Sequence, residues 1–143
     1  MLSTDKIKYL LSHGENKQVE FKKCTDKVSA SVYETVCSFL NAEGGYIFLG
    51  VDDDGTILGI NPKCVTDITK SIINTLNNLE QFLPPMPITP EQTEIDGKII
   101  LYLNVPESEQ VHRYKNRFYD RWGDADNDVS KHTYCLLYTS PSP

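Results

Sequence analysis

The spacing of apolar positions changes period several times along the chain, and each change predicts an element. Ile7, Leu10 and Leu11 recur at helical spacing after Thr4, a suitable N-cap, and Gly14 suits the stop. Residues 18–23 then alternate, with Val19 and Phe21 facing one way and Glu20 and Lys22 the other, which predicts a short, half-buried strand. A second helix is predicted over about residues 29–42 on the stripe Val32, Val36, Phe39 and Leu40, ended by Gly44 and Gly45. The near-continuous apolar run 46–51 predicts a strand buried on both faces. Asp54-Gly55 is a hairpin signal, with residues 56–60 expected to return as the partner strand.

A third helix is expected from near Val65, with Val65, Ile68, Ile72, Leu76 and Leu79 on its buried side. Pro84, Pro85, Pro87 and Pro90 then make a rigid extended connection. Strands over 92–95 and 98–105 flank a second turn, Asp96-Gly97, and 118–122 reads as a last strand. Helices mixed with hairpins predict an α+β class: a single compact domain, a mixed β-sheet flanked by helices. Residues 136–143 continue no element and read as a non-native or disordered tail. The domain is therefore placed at 1–134, with 135–143 as tail, and the native chain is expected to extend further.

At 143 residues the chain suffices for one domain that buries roughly 70% of its unfolded surface. No apolar run approaches the ~20 residues of a membrane span, and the polar N-terminus lacks a signal-peptide core, so a cytoplasmic protein without membrane contact is expected. Cys24, Cys37, Cys64 and Cys135 form no C-x-x-C pair, which argues against structural zinc. Cys37 and Cys64 read as small core residues. The net charge of -6 argues against gripping nucleic acid by bulk electrostatics. The charge is uneven, however. Lys17, Lys22, Lys23 and Lys27 cluster early, His112, Arg113, Lys115, Arg117 and Arg121 cluster late, and acid dominates from Asp120 to Asp128.

Glu20 and Lys22, two apart on a strand, leave the same face. A carboxylate there could hold Mg²⁺ or Mn²⁺ while the ammonium offsets phosphate charge; a plain ion pair on a solvated sheet edge explains the same pattern. Glu15 lies just past a helix end, and Asp52 emerges at the end of a buried strand, where sites in sheets tend to lie. The run Asp52 to Gly55 is equally well read as turn chemistry. Gly44-Gly45 lacks the P-loop pattern and precedes a strand, so it does not read as a nucleotide loop. Residues 112–119 interleave cations and aromatics. That suits single-stranded nucleic acid, and it also suits a strand with core aromatics and exposed cations.

Together, Glu15 with Val19-Glu20-Phe21-Lys22, the helix end 38–45, the segment 49–55 with Gly59, and the late Arg117 to Gly123 resemble the Schlafen AlbA-like domain over about residues 3–130. The resemblance implies an α+β fold and a DNA- or RNA-binding module of a larger microbial regulator, normally followed by an ATPase-like or winged-helix region. Lys17, Lys22, Lys23, Arg113, Arg117 and Arg121 are then the expected phosphate contacts. It also implies an alternative, a metal-dependent endoribonuclease, since some animal members cleave RNA with two glutamates and an aspartate. By motif position these are Glu15, Glu20 and Asp52, with Mg²⁺ or Mn²⁺ as cofactor and Lys22 assisting. Those members use paired domains, so a single copy would act as a homodimer. A third alternative is a non-catalytic interaction or dimerisation domain with an acidic surface. One departure from the family pattern is the acidity of Asp120, Asp124, Asp126 and Asp128, which opposes a phosphate backbone there.

Overall fold

A computed structural model describes residues 1–130. The tail 135–143, with Cys135, lies outside the described residues. The centre of the fold is a parallel pair. Strand β1 (Val19–Lys22) leads into helix α2 (Ala30–Leu40), which crosses over to β2 (Gly45–Leu49). Helix α1 (Thr4–His13) precedes this unit and helix α3 (Val65–Leu76) follows it. Strands β4 (Glu91–Ile95) and β5 (Lys98–Val105) complete a mixed sheet in the order β1-β2-β5-β4. Two small ribbons lie outside it. Strand β3 (Phe82–Leu83) pairs with β6 (Arg113–Tyr114), and β7 (Tyr119–Trp122) pairs with β8 (Ala125–Asp128). The α+β mixed-sheet expectation matches this architecture.

The period-2 rule divides the sheet's two faces between two cores. Ile47, Leu49, Leu101 and Leu103 pack with α2 and α3 in the larger one. Val19, Phe21, Phe48 and Tyr102 pack with α1 residues Ile7 and Leu11 in the smaller one. Gly44 and Gly45, at φ 75° and 151°, turn the chain from α2 into β2. A Cβ on Gly45 would lie 2.3 Å from the Gln18 carbonyl oxygen, so glycine is required for β2 to approach the start of β1.

Several expected elements differ in detail. Ser3, not Thr4, caps α1, its Oγ accepting from the Lys6 N–H at 3.1 Å. Leu79, expected on the buried side of α3, is 64% exposed because the helix ends at Leu76. No strand forms over 56–60. Val51 and Ile57 make a single bridge, and Gly50 (φ 94°) and Gly59 (φ 81°) bend the chain off the ladder. The Ile60 N–H instead reaches the Ile99 carbonyl, at 2.8 Å. Residues 112–119 are not one strand either, because Lys115 and Asn116 adopt left-handed conformations that turn the chain between β6 and β7. Cys37 is fully buried as expected, while Cys64 is only half-buried at the edge of the larger core. No helix among the described residues is long and apolar enough to cross a membrane.

Candidate nucleic-acid interface

The residues singled out around β1 are organised by Arg121. Its side chain is 0% exposed. Nη1 lies 2.8 Å from Asp126 Oδ1 and 3.3 Å from Glu20 Oε1, Nη2 donates to the Asn16 carbonyl at 2.8 Å, and Nε donates to the Lys17 carbonyl at 3.3 Å. The guanidinium carbon sits 4.7 Å from the centre of the Phe39 ring. A planar cation with a fixed fork of donors suits such a site, since it can satisfy two carboxylates and two carbonyls at once. Asp126 completes the network by accepting from Thr35 and Ser38 of α2, both at 2.5 Å. This cluster ties the loop before β1, helix α2 and the β7–β8 ribbon together. It also explains why Glu20 is buried although its alternating position marked it as the polar face of a half-buried strand.

The expected phosphate contacts therefore fall into different settings. Arg121 is turned into the protein and is corrected from a surface contact to an internal anchor, because burying it unpaired would be prohibitive and four partners hold it. Lys17, Lys23 and Arg117 are exposed and each meets a carboxylate: Glu43 at 2.8 Å, Asp52 at 3.6 Å and Asp128 at 2.7 Å. Such exposed pairs are weak, so an incoming phosphate can replace the partner. Arg113 is half-buried on β6, paired through its backbone to Leu83. Lys22 is half-buried, and burial lowers its pKa against the pull of Asp126 and Glu15. The acidic run is also redistributed, with Asp126 spent on Arg121 and Asp128 on Arg117.

The three expected metal ligands each have another partner. Glu20 faces Arg121, and Asp52 faces Lys23 while accepting from the Asp53 N–H at 2.8 Å. Glu15 accepts from the Phe21 N–H at 3.2 Å, a group on the outer side of the edge strand β1. Burial raises the Glu15 pKa, with Asp53 and Asp124 adding to the rise and Phe21 opposing it. Among the described residues no group of three His, Cys, Asp or Glu side chains is placed to hold a metal ion. The arrangement does not fit a three-carboxylate centre.

The aromatics of 112–119 are mainly core. Tyr114 packs against Tyr33 and Phe82, at ring-centre distances of 5.5 and 6.3 Å. His112 is buried, its ring nitrogens 2.8 Å from the Pro84 carbonyl and 2.8 Å from Ser108 Oγ. Asn41, not singled out from sequence, bonds the backbone of both His112 and Tyr119 and so fixes β6 and β7 on the end of α2.

Residues 15–130 match the family described as Schlafen, AlbA_2. The chain belongs to this family. An uncharacterized ATP-binding protein of Ureaplasma parvum serovar 3 is 35% identical over 72 residues, which is 48% of this chain and 20% of the relative. The matched stretch thus covers about a fifth of that relative's length. Among solved structures, the N-terminal domain of a RecG-related, ATP-dependent DNA helicase-like protein from Nitrosomonas europaea aligns with TM-score 0.58 and 25% identity, covering 76% of each chain. The DIP2311 protein of Corynebacterium diphtheriae aligns with TM-score 0.61 over 87% of this chain and 28% of its own. At 15% identity that likeness shows the fold alone.

Proposed function

We propose that this AlbA_2 domain is a nucleic-acid-binding module of a larger regulatory protein, in which it precedes an ATPase-like or winged-helix region. The observation that carries the reading is Lys22. Its ammonium is half-buried, its charge is disfavoured by burial, and it has no ion pair within 4.0 Å among the described residues. A phosphate oxygen would give this ammonium a direct ion pair in addition to the longer-range pull of Asp126 and Glu15. Lys17 and Lys23 flank the same strand, and Arg113 and Arg117 lie on the segment packed against α2. The likeness to the N-terminal domain of a helicase-related protein supports the reading, as does the family. The cations work locally, so the net charge of -6 limits affinity without forbidding contact.

Salt-dependent binding of labelled single-stranded DNA and transfer RNA is the test. Log affinity should fall linearly with log salt, by roughly 0.7 per single-strand phosphate engaged. Lys22→Ala, Lys23→Ala and Arg113→Ala should each flatten the slope by up to about that amount. No salt-dependent binding by the folded domain would end the proposal. Cleavage that requires Mg²⁺ or Mn²⁺ and disappears in Glu20→Ala would instead make the protein the endoribonuclease implied by Glu15, Glu20 and Asp52. Self-association without nucleic-acid binding would favour an interaction or dimerisation domain.

A further inference from the structure

The two edges of the main sheet are finished differently. At the β1 edge the chain caps itself, since Glu15 takes the Phe21 N–H and Asn16 bridges to Val19. At the β4 edge no described residue does so. The Asp96-Gly97 turn, at φ 53° and 79°, closes a hairpin in which Ile95 and Lys98 form the hydrogen-bonded pair. Antiparallel pairing alternates, so Thr93 and Glu91 also bond to β5 while Gln92 and Glu94 turn their N–H and C=O groups outward. Among the described residues no hydrogen bond reaches those outward groups, and Glu91, Gln92 and Glu94 are all exposed. Such an edge is a template for another strand. Its charge is one-sided. Glu91 and Glu94 have no ion pair among the described residues. Of the cations at the hairpin, Lys8 meets Asp96 at 3.5 Å and Lys98 donates to the Ile57 carbonyl at 3.2 Å. Glu94 also forms the rim of an open groove walled by Leu58, Ile60, Pro62 and Ile99.

We propose that the β4 edge receives an extended, basic segment of a protein partner, which adds to the sheet beside β4 with lysine or arginine side chains opposite Glu91 and Glu94. Main-chain bonds to Gln92 and Glu94 supply the attachment, and the two carboxylates select the charge. A long basic side chain opposite Glu94 lays its aliphatic stem along the groove while its head meets the carboxylate. The same acids repel a phosphate backbone, so nucleic acid does not fit this edge. A second copy of the chain fits poorly too, because its own β4 brings two more glutamates and no cation. In the order β1-β2-β5-β4 this edge lies across the sheet from Lys22, so the proposal stands or falls separately from the nucleic-acid reading.

The probe is a fluorescein-labelled peptide of about ten residues, alternating threonine and valine, with two lysines spaced as Glu91 and Glu94 are. Titrated with the 143-residue chain, it should give a saturable rise in anisotropy. The same peptide with its backbone amides N-methylated keeps the charge, loses the strand bonds and should not bind. Replacing its lysines by glutamate, or making Glu94→Lys in the protein, should weaken binding about tenfold or more. Gln92→Pro should fold as wild type, because the N–H it removes points to solvent, and should no longer take the peptide. Hydrogen exchange gives a second readout. The Gln92 and Glu94 amides should exchange faster than those of Thr93 and Ile95 in the free chain, and slow when the peptide is added. Equal binding of the N-methylated peptide reduces the contact to charge attraction and overturns strand addition. No binding of the lysine peptide, or undiminished binding by Glu94→Lys, overturns the proposal. Self-association of the chain that Gln92→Pro abolishes assigns the edge to a second copy and overturns it as well.

Discussion

The β4–β5 end of the sheet and the β1–β7–β8 end are built on different physics. At β4–β5, Asp96-Gly97 closes a hairpin whose register runs unbroken from Glu91 opposite Tyr102 to Ile95 opposite Lys98, and Ile95, Ile100 and Tyr102 face one core by simple alternation. At the other end, order depends on one buried guanidinium that joins residues about 100 positions apart in the chain. The turns show the same contrast. Asp96-Gly97 and Asp54-Gly55 carry one sequence signal, yet a Cβ on Gly97 meets nothing within 4 Å while one on Gly55 would lie 2.5 Å from the Leu11 carbonyl oxygen. A local signal yields a regular hairpin where nothing else competes, and bends to tertiary packing where something does.

Removing the charge at the second end should have the largest effect. Arg121→Met leaves Glu20 and Asp126 buried without their counter-charge, and about 3–5 kcal/mol of stability should be lost, measured by urea denaturation. If the loss is no larger than that of an exposed substitution on β4 such as Glu94→Ala, the two ends do not differ as described. The turns come next. Gly55→Ala, strained at φ 90° and in collision with α1, should lose roughly 2–3 kcal/mol. Gly97→Ala, at φ 79° in open space, should lose only about 1 kcal/mol. Equal losses would mean that packing against α1 contributes nothing to the first turn.

The smallest effect expected is a pH dependence. Burial lowers the His112 pKa below its ordinary 6.5, with the Pro84 carbonyl partly opposing. The unfolded chain therefore takes up the proton first, so the stability held by neutral His112 is complete above pH 6.5 and is lost as pH falls from 6.5 through the folded value. His112→Gln should flatten the decline in melting temperature over that window and leave the slope above it unchanged. A wild-type melting temperature constant across the window would show that His112 does not titrate on unfolding.

Periodicity made much of the fold legible. Helical stripes such as Val32, Val36, Phe39 and Leu40, and alternations such as Val19 with Phe21, report burial directly, because every apolar side chain on a stripe gains from leaving water whichever neighbour covers it. The candidate site was less legible. Glu15, Glu20 and Lys22 could be picked out as charged groups about one strand, but not what each would face. Glu20 meets Arg121, Glu15 meets the Phe21 N–H, and Lys22 lies within electrostatic reach of Asp126. The aromatics of 112–119 were candidates for base contact, while His112 and Tyr114 are buried in the packed chain.

The amino-acid sequence by itself determined helices α1, α2 and α3, the buried strand β2, the β4–β5 hairpin and membership of the AlbA_2 pattern, all carried by spacing within a few turns or strand pairs. Only the tertiary structure decided which charges are buried together and which are left to solvent. Burial of a charge is tolerable only when distant groups converge on it, and that convergence is a property of the packed chain rather than of any segment.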